Sequence, residues 1–137
     1  MNISIPTQRQ CRKALDALLH RCDGVVAAMF ALRDGRPYVE RSRSMVSESK
    51  FAAMTSSLMA LSSSVMREIA FDTLNYLLIE GERHKLVLCK LPSGTGALVL
   101  SVLARSDISL GFLLGLAKTC VTDVNESVPD PVDASGH

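Results

Sequence analysis

The sequence contains no tryptophan, and aromatic residues make up only 4% of its 137 residues. Proteins that bind single-stranded nucleic acid stack the bases on aromatic side chains, so this scarcity argues against that class. Neither sign of charge is in excess, because 15 Lys and Arg residues are balanced by 14 Asp and Glu residues. A chain this close to neutral has no strong electrostatic attraction to nucleic acid or to an anionic membrane. We therefore expect neither nucleic-acid binding nor direct membrane insertion.

The sequence also has few residues suited to metal binding or nucleophilic chemistry. None of its four cysteines forms a C-x-x-C pair, and no two of its three histidines have metal-ligand spacing. Each cysteine has apolar neighbours, which is typical of a thiol that packs as a small hydrophobic group. No G-x-S-x-G motif selects any serine as a nucleophile. We expect no metal, no cofactor and no catalytic residue, so an independent enzyme is the least supported hypothesis. The residues concerned are Cys11, Cys22, Cys89, Cys120, His20, His84 and His137.

No long apolar run and no targeting signal is evident. The apolar run at 110–117 contains two glycines and ends at Lys118, and the N-terminus lacks a basic segment followed by an apolar one. With 47% hydrophobic and 21% charged residues, the composition is that of a globular protein. We expect a cytoplasmic protein with a single domain over 1–126 and a disordered tail over 127–137.

Caps and periodicity predict three helices. Thr7 and Gln10 have the spacing of a capping box at the start of the first, and Gly24 suits the left-handed conformation that often follows a helix. Ser47 is the predicted N-cap of the second helix. The third starts near residue 107 or 109, and two glycines one turn apart are expected to pack it tightly against a sheet. Those glycines are Gly111 and Gly115.

Five strands are predicted between these helices. The segments 25–32 (VVAAMFAL) and 97–104 (ALVLSVLA) are apolar at odd and even positions alike, so both are central strands covered on both faces. The other strands are predicted at 37–42, 74–80 and 84–91, and turn residues between neighbouring strands favour antiparallel hairpins. The fold class is therefore α/β of the α+β type. We expect a three-layer sandwich with a five-stranded antiparallel sheet, one long helix on one face, two helices on the other, and the order α-β-β-α-β-β-β-α.

The predicted strand at 74–80 is too apolar for an exposed edge. Pairing with the same strand of a second copy would satisfy its backbone groups and remove an aggregation risk. Leu74, Tyr76 and Leu78 are accordingly predicted to lie at a dimer interface.

The second helix carries no charge between Lys50 and Arg67, although it is too rich in serine to span a membrane. It has two stripes at helical spacing, about a hundred degrees apart. The first is apolar and suits the core, and the second is small, neutral and sulfur-bearing, with adaptable methionines. The second stripe is either a protein–protein face or a face buried inside the domain, and we predict a dimer or partner interface. The first stripe is Phe51, Met54, Leu58, Leu61, Val65 and Ile69, and the second is Ala52, Ser56, Met59, Ser63 and Met66.

Four segments in this order resemble the Roadblock family, the dynein light-chain type that also has bacterial members. They are DGVVAAMFALRDGRPYV, KFAAMTSSLMALSSSVMREI, YLLIEGERHKLVLCKLPSGTGALVLSVLA and LGFLLGLAKTCVTDV, which together extend over about residues 8–125. The resemblance implies a homodimer in which the long second helices lie side by side and the third strands join two sheets. It also implies that the helix-lined face of the dimer docks a Ras-like small GTPase, whose activity or localisation is then modulated. It implies no metal and no catalytic residue of the chain's own.

Two further features leave alternatives open. Arginines around the first hairpin are either a solvated rim or rim contacts to an acidic region of a partner. A phosphate-cradling loop at 93–96 is disfavoured against a plain hairpin loop, because it opens no helix and lacks the P-loop lysine. The arginines are Arg33, Arg36, Arg41 and Arg43.

The alternative function is a small-molecule-binding sensor domain of similar architecture, which needs a cavity lined by polar groups. The strand faces, which are mostly Leu, Val, Ala and Met, argue against such a cavity.

Overall fold

The computed structural model describes residues 5–92 and 97–127, with the side chains of the last two residues left aside. The predicted loop at 93–96, the tail from 128 onward and His137 lie outside the described residues. The order of helices and strands is as predicted. The elements are α1 (Gln8–Arg21), β1 (Val25–Leu32), β2 (Pro37–Ser42), α2 (Glu48–Ile69), β3 (Leu77–Glu80), β4 (His84–Lys90), β5 (Leu98–Arg105) and α3 (Leu110–Ser127).

The strands form one antiparallel sheet in the order β2-β1-β5-β4-β3. The two doubly apolar strands, β1 and β5, pair with each other at its centre, which confirms the prediction. In their register Phe30 lies opposite Leu100 and Met29 opposite Ser101. β3 lies at an edge of the sheet, and it begins only at Leu77. Leu74 and Tyr76 therefore precede the strand.

One face of the sheet is covered by α1 and α3. Leu15 and Leu18 of α1 and Leu113 of α3 are fully buried with Phe30 and Leu100 in one large apolar cluster. The predicted capping box starts α1: the Gln10 N–H donates to Thr7 Oγ1 at 3.1 Å and the Thr7 N–H donates to Gln10 Oε1 at 2.7 Å. Satisfying these helix-end donors fixes where α1 begins and which face it turns to the sheet.

Within the described residues α2 alone covers the other face of the sheet, and the helix turns its small stripe inward. Ala52 is 0% exposed and packs with Met29 and Ala31, while Met59 is 4% exposed and packs with Leu88 and Val99. Ser47 caps the helix as predicted. The prediction that the large apolar stripe faces the core is wrong for Met54, Leu61, Val65 and Ile69, which are exposed, whereas Phe51 and Leu58 are half-buried against these clusters. The small Ala52 lets the helix lie close to β1.

Two buried polar groups show that the α2 layer is the less completely satisfied one. Thr55 Oγ1 and Ser101 Oγ have no hydrogen-bond partner among the described residues. On the opposite layer, by contrast, the buried Lys85 Nζ donates to the carbonyls of Ser106 and Ile108 at 2.8 and 2.7 Å.

The glycines correct two sequence-based predictions. Among the described residues Gly35, at φ +93°, is the one glycine in the left-handed region, so Gly24 does not end α1 in that conformation. A side chain at Gly24 would instead collide with Ile108, whose Cδ1 lies 2.4 Å from the added Cβ position. Gly111 and Gly115 do not pack tightly, because a Cβ added to either meets nothing within 4 Å.

We therefore expect Gly115→Ala to raise the free energy of unfolding by about 1 kcal/mol, because alanine loses less backbone entropy in a helix and meets no neighbour. Urea denaturation at a fixed protein concentration measures this change. Gly35→Ala is the matched control and should lower the same quantity by roughly 1 kcal/mol, since alanine is strained at positive φ. A destabilising effect of Gly115→Ala would contradict the placement of α3.

Candidate functional site

The outward face of α2 is a continuous apolar surface. Met54, Leu61 and Ile69 are 63%, 65% and 76% exposed, and Val65 between them is also exposed. An apolar depression of about 370 Å³ lies on this face. Large contiguous apolar patches are uncommon on monomers and mark interaction sites, so this stripe is a candidate interface. The depression is lined by Ala53, Met54, Ser57, Leu58 and Leu61.

The apolar stripe continues past the end of the helix. Phe71 follows the C-cap residue Ala70 with a φ of 54° and is 90% exposed. The turn is closed by the Asp72 N–H, which donates to the Met66 carbonyl at 2.9 Å. Positive φ is unfavourable for a bulky residue, and strained residues concentrate at functional positions. An exposed aromatic side chain held in this conformation points to a contact surface.

The third strand provides an unpaired backbone edge next to this stripe. β3 pairs with β4 on one side, and no described strand pairs with it on the other. Leu77 packs with the α2 layer, so the alternation of a strand places Ile79, which is exposed, on the same face. Leu58 of α2 joins the same apolar cluster as Leu77. The helix stripe and the strand edge therefore border the same apolar cluster.

The predicted interface residues are distributed over several environments. Ala52 and Met59 contact the chain's own sheet, and the Ser56 hydroxyl donates to the Leu32 carbonyl at 2.7 Å. Ser63 and Met66 are half-buried. Contact of the second stripe of α2 with another polypeptide stays a prediction, but the side chains of Ala52 and Met59 are already buried against the sheet of their own chain. Of the residues around the third strand, Leu74 packs on the α2 layer, whereas Tyr76 and Leu78 pack on the layer of α1 and α3.

The four arginines do not form one cluster. Arg36 pairs with Asp34 at 2.8 Å at the β1–β2 turn, and the two hydrogen bonds from Arg36 hold the pKa of the Asp34 carboxyl below its usual value. Arg41, near the other end of β2, pairs with Asp16 at 2.8 Å.

The remaining two arginines have different surroundings. Arg43 donates to the carbonyls of Leu19, Cys22 and Val25, so it caps the C-terminal end of α1 and is structural. Arg33 lies at the end of β1, where it lines a cleft.

This cleft lies on the flank of α2 opposite the apolar stripe and has a volume of about 620 Å³. It opens where β1 and β4 end and β5 begins. Its walls carry three basic side chains and several hydroxyl groups, and its floor includes the buried Met59 and Val99. The sequence argument against a polar-lined cavity is therefore wrong. The lining residues are Arg33, Ser56, Met59, Ala60, Ser63, Ser64, Arg67, Leu74, Asn75, Lys90, Leu91, Pro92 and Val99.

Sequence reasoning missed this cleft, although part of its signal was present. Ser56, Ser63 and Arg67 recur at helical spacing and define the flank of α2 that lines it. What the sequence did not show is that Arg33 and Lys90, far apart along the chain, reach the same cleft.

All four cysteines are buried, and burial suppresses the ionisation of three of them. Burial raises the pKa of the Cys11 and Cys120 thiols to about 12, and it also raises the pKa of Cys89. All four cysteines are free. Within 5–92 and 97–127 no group of three His, Cys, Asp or Glu side chains could hold a metal ion. No helix in the described part of the chain is both long and apolar enough to cross a membrane.

We expect iodoacetamide to leave Cys11 and Cys120 unmodified in the native protein at pH 8, because a thiol with a pKa near 12 is ionised to only about one part in ten thousand there. Peptide mass spectrometry measures the modification. The same reaction in urea is the control and should label all four cysteines. Rapid labelling of Cys11 or Cys120 in the native state would show that α1 and α3 do not cover them.

Comparison with known proteins identifies the family to which the chain belongs. A sequence model of the Roadblock/LC7 domain matches residues 12–101, which is more than half of the chain. The chain therefore belongs to the Roadblock/LC7 domain family. No curated protein matches the sequence.

Solved structures show the same fold. A Roadblock/LC7 domain from Streptomyces avermitilis superposes with a TM-score of 0.75 at 20% identity, covering 84% of this chain and 94% of that one. MglB from Myxococcus xanthus gives 0.76 at 15% identity, with 85% and 93% coverage. An MglB with a tetrameric arrangement gives 0.73 at 13% identity, with 92% and 96% coverage. At these identities the likeness establishes the architecture.

Proposed function

We propose that this chain is a homodimeric, non-enzymatic regulator or scaffold that binds a Ras-like small GTPase. The observation that carries the proposal is the exposed apolar surface on α2 together with the unpaired edge of β3, which border the same apolar cluster. Membership of the Roadblock/LC7 family supports it, since the family resemblance implies this assembly and this class of partner.

A second copy of the chain is the partner that fits both parts of this surface. An edge strand is best satisfied by another strand, and a two-fold axis beside β3 would let two β3 strands pair antiparallel. The same axis brings the two α2 helices side by side over the joined sheet. Each exposed stripe would then be covered by the other, which would bury Leu61, Val65 and Ile69. The tetrameric arrangement of an MglB with this fold supports an oligomer.

Docking of the GTPase is proposed on the α2 side of this dimer. The helix has no charge between Lys50 and Arg67, so a partner can approach it without desolvating ions. Arg36, which is exposed at the β1–β2 turn, would contact the partner at the rim and accelerate association. Such a regulator needs no nucleophile or metal of its own, because the nucleotide is held by the GTPase.

We expect Leu61→Lys to raise the dissociation constant of the dimer roughly tenfold or more, since it places a charge in the proposed interface. The monomer should stay folded because Leu61 is exposed in the isolated chain. Sedimentation equilibrium measures the association, and circular dichroism measures the fold. Phe112→Lys, which changes an equally large exposed side chain on α3, is the matched control and should leave association unchanged.

Met59→Lys distinguishes the two faces of α2. It should lower the free energy of unfolding by about 2 kcal/mol or more, because the packing of Met59 on Leu88 and Val99 would be lost even when the ammonium extends into the adjoining cleft. A Leu61→Lys protein that sediments exactly as the unmodified protein does would refute dimerisation through this stripe.

Complex formation with the small GTPases of the same organism tests the second half of the proposal. We expect one of them to co-elute with this chain in a nucleotide-dependent manner, with Leu61→Lys weakening the complex and Phe112→Lys leaving it intact. Phosphate release by that GTPase, measured with and without this chain, separates stimulation of hydrolysis from anchoring. Failure of every such GTPase to bind, in both its GDP and GTP forms, would refute the assignment.

A further inference from the structure

The cleft beside α2 concentrates positive charge in a chain that is almost neutral overall. Arg33 of the β1–β2 turn, Arg67 of α2 and Lys90 of β4 line it together, whereas none of its described lining residues is acidic. The whole sequence has nearly equal numbers of basic and acidic residues, so a local excess of this kind does not follow from composition. A cleft lined by one sign of charge focuses the field on a ligand of the opposite sign.

These cations are not neutralised by the rest of the described chain. The four ion pairs found within it involve other basic residues, namely Arg36, Arg41, Lys85 and Arg105. Arg67 donates to the Ser64 hydroxyl at 3.2 Å, which holds its guanidinium beside the cleft without cancelling its charge. Asn75 adds an amide that can donate to an anion.

The cleft also has an apolar part. Met59 and Val99 are buried at its base, and the half-buried Leu74 lies beside them. A volume of about 620 Å³ is within the range of small-molecule sites, which combine apolar walls with a few convergent polar groups. A simple inorganic anion would leave this apolar part unoccupied.

We propose that the cleft binds a small organic molecule that carries phosphate groups, such as a nucleotide. The phosphates would lie among Arg33, Arg67 and Lys90, where charge-assisted hydrogen bonds are strong. The organic body would lie over Met59, Val99 and Leu74. The serine hydroxyls along α2 would contact its polar edge.

An acidic protein segment is the competing occupant, and the shape of the cleft favours the small molecule. The basic side chains converge on one concave site whose base is buried apolar surface. An acidic protein segment would bind at a hydrated rim, where its carboxylates stay in contact with water, and it would not use this apolar base. The cleft lies on the flank of α2 opposite the exposed apolar stripe, although its lining includes Ser56, Ser63 and Leu74, which the sequence predicts at a dimer or partner interface. This inference therefore goes beyond GTPase binding and stands or falls independently of it.

Isothermal titration calorimetry of the full chain, with no GTPase present, tests the proposal. ATP, GTP, pyrophosphate and adenosine are titrated separately. We expect a nucleotide to bind, pyrophosphate to bind more weakly, and adenosine, which has no phosphate, to give no measurable heat. Arg67→Gln and Lys90→Gln should each weaken nucleotide binding about tenfold, the loss expected for a hydrogen bond to a charged group. Ala60→Glu should abolish it by placing a carboxylate in the cleft.

Arg36→Gln is the matched control, because this arginine is exposed, lies outside the cleft and is paired with Asp34. It should leave nucleotide affinity unchanged. Circular dichroism checks that each variant is folded, which is expected since Arg67, Lys90 and Ala60 are exposed.

Three results would overturn the proposal. The first is that none of the phosphate compounds binds at millimolar concentration. The second is that Arg67→Gln and Lys90→Gln bind a nucleotide as tightly as the unmodified chain. The third is that these substitutions abolish complex formation with a protein partner while no phosphate compound binds, which would assign the cleft to protein docking. Leu61→Lys should keep nucleotide affinity, so loss of the dimer and loss of the ligand are distinguishable.

Discussion

The close contact between α2 and the sheet determines which surfaces this protein presents. Ala52 packs directly on Met29 and Ala31, and only a small residue fits a helix that lies so near a strand carrying larger side chains. Once this face is fixed, the helical repeat places Leu61 and Val65 outward. Leu61 and Val65, with Met54 and Ile69, are therefore exposed because Ala52, Thr55 and Met59 occupy the inward face.

The two helical layers of the sandwich consequently differ in the surfaces that they expose for binding. The layer of α1 and α3 is a large apolar core in which even the buried Lys85 is hydrogen-bonded. The α2 layer is narrower, because a single helix covers that face of a five-stranded sheet. One flank of that helix is apolar and reaches the β3 edge, whereas the other borders a basic cleft. The larger apolar core thus lies on one face of the sheet and the candidate binding surfaces on the other.

Much of the fold was predictable because its signals are local. The capping box of Thr7 and Gln10 and the doubly apolar strand at 25–32 each depend on residues that are neighbours in sequence. The predictions that failed concern packing. Gly24 was expected to have positive φ, but it is small because Ile108 lies against it. Gly111 and Gly115 face open space, which no spacing along α3 could show.

The sequence by itself determined the order of elements, the central position of β1 and β5, and the presence of two distinct stripes on α2. These follow from hydrogen-bonding caps and from periodicities of two and 3.6 residues. Only the tertiary structure decided which stripe faces the sheet, and that Arg33, Arg67 and Lys90 meet in one cleft. Periodicity gives the direction of side chains relative to their own helix or strand, whereas the identity of the opposing surface depends on long-range packing.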